Sequence, residues 1–256
     1  MFFTRETRGT ERKDLSNTIF AAAIIFYDDV KGMKRALDSL TEGFDRIFCL
    51  DGKFKDFPTT EPLSTDGSRE VVQSFTNTIL MDCPNVSEIE KRSKYLELCG
   101  EYDVTYLCIL DSDEYIVKAD WEKFRINCQV IANKINRDSS SSGISSSDYT
   151  SYHVFGIRME YADGPDQFDK PYFTPATGVY PRLWYKPYEM MYRNTHYGFV
   201  PKDPRNPFHR EQTETWNTEI YGITMRHDPY YTRVDPKRES ASSKYKELLQ
   251  KHEGSI

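Results

Sequence analysis

The chain has 256 residues, 38% of them hydrophobic and 29% charged, and 34 basic against 40 acidic side chains leave a net charge of −6. That content supports a sizeable core and argues against both a disordered chain and a basic nucleic-acid binder, so no nucleic-acid partner is expected. The 18 Tyr and 15 Phe suit either an aromatic core or a groove lined with rings.

The polar residues 1–16 read as an N-terminal arm, with a single domain over 17–256. The apolar stretch from Ile19 to Tyr27 falls far short of the roughly 20 residues that a spanning helix needs. The charged run from Arg5 to Asp14 is unlike a secretion signal. A soluble, cytoplasmic chain with no transmembrane segment is the expectation. The 5 Cys, odd in number and without CxxC spacing, suit reduced thiols.

Thr18 to Tyr27 is a near-continuous apolar run, the mark of a strand buried on both faces. Val30, Met33, Leu37 and Leu40 follow at helical spacing, and Arg46 to Leu50 is a second buried strand ending on Asp51-Gly52. A loop with Pro58, Pro62 and the turn-prone Ser64-Thr65-Asp66-Gly67 leads to a short helix carrying Val71, Val72 and Phe75. Ile79 to Met81 is a third strand, Glu88 to Gly100 a helix, and Tyr106 to Leu110 a fourth strand. A helix over Asp120–Asn136 follows from the stripe Trp121, Phe124, Cys128, Ile131 and Ile135. Strand and helix in alternation predict an α/β fold, its mixed and mainly parallel sheet covered by helices on both faces.

This nucleotide-binding half, 17–137, is followed by a flexible Ser-rich loop at 138–151. The remaining 152–256 is rich in Tyr, with strands expected at Tyr152 to Met159, Arg182 to Lys186 and Ile220 to Arg226 and a final helix near Pro236 to His252.

Three strands end in polar runs: Tyr27-Asp28-Asp29, Asp51-Gly52 and Asp111-Ser112-Asp113. In parallel α/β sheets ligands bind beyond these carboxyl ends. Carboxylates at i and i+2 just past a strand can converge on a hard divalent cation, Mg²⁺ or Mn²⁺, which would neutralise phosphate oxygens. An Asp-x-Asp run alone is equally what a solvated acidic turn carries. Arg226, Arg233, Lys237 and Arg238 form a segment able to meet a diphosphate or, equally, a solvated basic turn.

The order of these pieces resembles the GT-A nucleotide-sugar glycosyltransferases, most like family 2. Asp51-Gly52 and then Ser64-Thr65-Asp66-Gly67-Ser68 are similar to that family's "DGSTDGT" turn, split by an insertion. Leu110-Asp111-Ser112-Asp113-Glu114-Tyr115-Ile116 is similar to its "LDaDEfi" metal motif. Tyr180-Pro181-Arg182-Leu183-Trp184 and the segment Ile223 to Tyr231 resemble its C-terminal pieces more softly. Tyr197 stands where the hairpin often has Glu, so no base carries over to that position.

The resemblance implies a Rossmann-like GT-A fold with a Tyr-rich acceptor-side half, and a metal-dependent transfer of sugar from a nucleotide-sugar donor of UDP or GDP type. The acceptor would be a glycan, a lipid-linked molecule or a protein. Asp111, Asp113 and His227 would hold the metal, although His227 also reads as an ordinary structural histidine. Tyr27, Asp28, Asp51, Arg92, Ser112, Arg233 and Lys237 would meet the nucleotide, with Glu160 and Asp163 as candidates for the catalytic base. Trp184, Tyr185 and Trp216 could stack on sugars. Rival readings are a nucleotidyltransferase on a similar sheet and a non-catalytic carbohydrate-binding protein.

Overall fold

In the computed structural model, which describes residues 18–55, 57–140, 154–162, 173–193, 195–202 and 219–227, the first apolar run becomes β1 (Phe20–Phe26), buried along its whole length. Phe20, Ala22, Ile24 and Phe26 enter one core cluster, and Ala21, Ala23 and Ile25 the other. A strand must be apolar at every position to satisfy both. α1 (Val30–Leu40) is capped by the Asp29 side chain, which accepts from the Gly32 N–H, and it buries Met33, Ala36, Leu37 and Leu40. There follow β2 (Arg46–Asp51), α2 (Ser68–Gln73), β3 (Thr78–Asp82), α3 (Glu88–Glu101) and β4 (Tyr106–Asp111). Next come β5 (Glu114–Ala119), α4 (Trp121–Ser140), β6 (Val154–Ala162), β7 (Phe173–Tyr185), the hairpin β8 (Met190–Arg193) and β9 (Thr195–Pro201), and β10 (Glu219–His227).

The main sheet has 8 strands in the order β3-β2-β1-β4-β7-β6-β10-β5. β3, β2, β1, β4, β6 and β10 point one way, and β7 and β5 run against them. α1, α2 and α4 cover one face, while α3 and the β8–β9 hairpin cover the other. This is the Rossmann-like, mixed α/β arrangement that the motifs led one to expect. No described helix is long and apolar enough to cross a membrane, and all 5 free cysteines are buried.

β5 was not legible in the sequence. It follows β4 after only Ser112 and Asp113, yet it lies at the far edge, beyond β7, β6 and β10. Strands sit about 4.8 Å apart, so a flat sheet would separate β4 from β5 by roughly 19 Å. The link from Asp111 to Glu114 can span at most about 11 Å. The sheet therefore curls until its far edge returns to the carboxyl end of β4, where the Asp111 N–H donates to Glu114 Oε2 at 2.9 Å.

Two other readings need revision. β7 begins at Phe173, well before the expected Arg182, and α4 runs on to Ser140. Trp184 and Tyr185 are buried, Trp184 packing on the Tyr192 ring, so both serve the core rather than a sugar-stacking surface. The arm, Trp216 and the expected C-terminal helix lie outside the described residues.

β10 reaches the curled edge through a bulge, with a register shift between Ile220 and Thr224. Gly222 there has φ 112, its carbonyl accepts from the Asp120 N–H at 2.7 Å, and an added Cβ would lie 2.5 Å from the Phe124 nitrogen. Gly222→Ala should therefore cost at least about 2 kcal/mol, from left-handed strain plus displacement of the start of α4. An unchanged urea midpoint would show that the bulge tolerates a side chain.

Candidate active site

The register brings the acidic strand ends to one level. Ile25 pairs with Asp111, Phe26 with Asp51, and Asp51 with Asp82. Because β10 runs parallel to these strands, its last residue, His227, arrives at the same edge, opposite Glu114 of antiparallel β5.

At the centre lies a mostly buried ionic network. Arg92, on α3, donates from Nη2 to Asp111 Oδ1 at 2.7 Å and from Nε to Glu88 Oε1 at 2.9 Å. Arg182, on β7, is bonded to Glu114 and stands 3.8 Å from Asp111 Oδ2. Glu114 is 1% exposed. Burial pushes its carboxyl above the usual range, against the pull of Arg182 and of the Asp111 N–H. Charges this deep persist only when paired and hydrogen-bonded. Arg92, on the buried face of α3, therefore meets a carboxylate at a strand end.

Beside this network, Asp113 is buried and its Oδ2 lies 3.6 Å from His227 Nε2. Burial alone would lower the imidazole pKa, but the Asp113 bond and the field of Glu114 and Asp111 raise it above the ordinary value. Ser112 is buried between the two aspartates, and its hydroxyl has no hydrogen-bond partner among the described residues.

A second set of contacts folds residues 57–66 over β1 and β2. The Asp51 carboxylate, fully buried, accepts from the Ser64 hydroxyl at 2.6 Å, the Ser64 N–H at 3.1 Å and Arg69 Nη1 at 2.6 Å. Arg69 also reaches Asp82 at 2.8 Å. Asp28, at φ 45, accepts from the Thr65 N–H at 2.8 Å, while the Tyr27 hydroxyl meets Thr59 Oγ1 at 2.9 Å. Lys91, 1% exposed, donates to the carbonyls of Phe26 and Gly52 and sits 5.3 Å from the Phe54 ring. This pins the ends of β1 and β2 from below. Asp51→Ala should cost about 1–3 kcal/mol and speed amide exchange at Ser64 and Thr65. Wild-type exchange there would mean that the turn is held by other contacts.

Thus Asp28, Asp51, Arg92, Asp111, Ser112, Asp113 and His227 all lie at the carboxyl edge. Glu160 is placed by backbone register opposite Arg226, the neighbour of His227. Asp163, Arg233 and Lys237 fall outside the described residues. Sequence reasoning passed over Arg182, Glu114, Arg69 and Lys91 as site residues. Arg182 and Glu114 stood inside the quoted motifs, so their signal was present, but nothing in either spacing says that the two meet.

Among the described residues no 3 His, Cys, Asp or Glu side chains converge on one point as a metal group. Asp113 and His227 nonetheless face each other there, with the Ser112 hydroxyl adjacent and Asp111 held by Arg92 and Arg182.

No family model matches the sequence, and no curated protein matches it. Among solved structures the chain is similar to TarS of S. aureus, at 15% identity and TM-score 0.40 over 66% of this chain and 28% of that one. It is similar to the TarS 1-349 structure at 15% identity and TM-score 0.39, over 66% and 47% of the two chains. A third similar structure is 4-diphosphocytidyl-2C-methyl-D-erythritol synthase from Anaerococcus prevotii DSM 20548, at 11% identity and TM-score 0.36, over 67% and 72%. The chain spans 28% of the first TarS structure and 47% of the second.

Proposed function

We propose that the protein is a metal-dependent glycosyltransferase that moves a sugar from a nucleoside-diphosphate donor to an acceptor hydroxyl. The observation that carries this reading is the Asp113–His227 pair, 3.6 Å apart, set against an arginine-held Asp111 at the carboxyl edge of a largely parallel sheet. Asp113 and His227 would hold Mn²⁺ or Mg²⁺, with Asp111 beside them, and the metal would supply charge to the departing diphosphate.

Arg92 and Arg182 stand beside the same carboxylates, and their guanidinium forks match phosphate oxygens. In the transfer, the acceptor oxygen forms a bond to the sugar C1 as the bond from C1 to the diphosphate oxygen breaks. The electron pair leaves with the nucleoside diphosphate, and the acceptor proton passes to a carboxylate base, for which Glu160 is the described candidate. The loop pinned by Asp28, Asp51 and Tyr27 would form the wall against the nucleoside.

A nucleotidyltransferase would want a Gly-rich, basic phosphate loop after β1. Here that position is occupied by Tyr27-Asp28-Asp29, with the Asp28 carboxylate tied to Thr65. The test is a screen of UDP-, GDP- and CMP-sugars for Mn²⁺-dependent release of sugar to water. One donor hydrolysed only with metal supports the proposal. If none were hydrolysed while a nucleoside triphosphate and a sugar phosphate were joined, the proposal would fall to its rival.

A further inference from the structure

Arg92 and Tyr95 are both buried on α3, three residues apart. Residues at that spacing share one face of a helix, so the arginine that holds Asp111 and the tyrosine enter the same layer. There the Tyr95 hydroxyl is hydrogen-bonded to the hydroxyl of Tyr192, which the β8–β9 hairpin brings in from 97 residues further along the chain. The two rings meet edge to face, 6.1 Å apart and inclined at 76°, and Trp184 of β7 backs Tyr192 at 5.3 Å.

The Arg92 charge acts on both hydroxyls. Burial pushes the two phenol pKa values up, and Arg92 pulls them only part of the way back. Both groups therefore stay protonated and meet the guanidinium as dipoles, in a dry setting where such a dipole counts for more than it does in water. Arg92 needs that support. Its Nε partner, Glu88, has a side chain 36% exposed, so water competes for that contact. Two phenylalanines would fill the same space with no polar group to bury, and replacing both partners of a buried hydrogen bond by apolar groups of the same shape is nearly neutral for stability.

We infer that the Tyr95–Tyr192 hydroxyl pair positions Arg92, and through it sets the Asp111 carboxylate before any ligand arrives. Neither tyrosine touches substrate; each acts through the arginine. The consequence for ligand binding rests on the transferase reading above, while the contact with Arg92 does not.

The Tyr95→Phe/Tyr192→Phe variant separates this role from plain packing. Its urea midpoint should stay near that of wild type. NMR of the metal-free proteins, with the Arg92 Nε–H signal assigned from the Arg92→Lys spectrum, should show that proton exchanging faster with water. Calorimetry should show Mn²⁺-dependent affinity for a nucleoside diphosphate falling about 3- to 10-fold, less than the loss of a direct partner of a metal ligand. Tyr106→Phe is the control: on the other face of the sheet, its buried hydroxyl donates to the Cys128 carbonyl at 2.7 Å. That change should lower the urea midpoint and leave the Arg92 signal and the affinity as they are. Arg92 exchange unaltered in the double variant, or altered equally in Tyr106→Phe, would return the pair to ordinary core packing. Faster Arg92 exchange with unchanged affinity, in a protein that does bind the nucleotide, would overturn the link to the site. A wild type that binds no nucleoside diphosphate would sink the transferase reading alone, and the Arg92 exchange would still decide the positioning. Should the double variant not fold, Tyr192→Phe by itself carries the same readouts.

Discussion

Asp113→Asn should abolish Mn²⁺-dependent binding of nucleoside diphosphate and leave the folded protein intact. The amide has the shape of the carboxylate, so packing around a residue 2% exposed is kept. What goes is the negative charge that would hold the cation opposite His227. Losing a partner of a metal ligand already costs about 10–100-fold in affinity, and losing a ligand itself should exceed that. Calorimetric titration with a nucleoside diphosphate plus Mn²⁺ is the direct check, and wild-type affinity would remove Asp113 from the site. A second readout needs no metal. The His227 pKa is raised because the Asp113 bond and its carboxylate neighbours outweigh burial, so in the variant the imidazole should titrate at lower pH. NMR titration of the metal-free proteins would settle whether it does.

Arg182→Met should be the most destabilising change in the network. The arginine side chain is 15% exposed and its partner Glu114 1%, and removing one member of such a pair strands the other charge, at about 3–5 kcal/mol. The double variant Arg182→Met/Glu114→Gln should recover much of that loss, because no charge is then left buried. pH gives a further test with a definite sign. Burial already raises the Glu114 carboxyl, and without Arg182 its folded-state pKa rises further. The extra penalty is fully present above that raised pKa and fades as pH falls toward the unfolded carboxylate value, where the group is neutral in both states. A deficit that grew on acidification would mean that Arg182 acts through something other than Glu114.

The first four strands and first four helices could be read from the sequence because each has a period of its own. β1, β2 and β4 are buried on both faces, and a run such as Phe20–Phe26 can be little else. The aspartates closing those strands were legible for the same reason, since a strand's end fixes what stands at the sheet's edge. β5 was not, because Glu114 and Ile116 are buried for unlike reasons, one in an ion pair and one in the core, and that alternation does not look apolar. The Arg92–Asp111 contact depends on where α3 packs and the Arg182–Glu114 contact on how the sheet curls, and no spacing along the chain records either.

The curl of the sheet also bears on the order in which the molecule can assemble. Among the described strands β5 pairs with β10 alone, and more than a hundred residues separate Glu114 from its register partner His227. A nascent chain that has produced β1 to β5 can pair the first four strands, while its fifth must wait, edge unpaired and exposed to misassociation, until distant β10 arrives. The acidic strand ends thus exist early, but the imidazole that faces Asp113 joins them in the last of the described strand pairings, so any ligand that requires both would bind, and stabilise, only molecules in which β10 is in place.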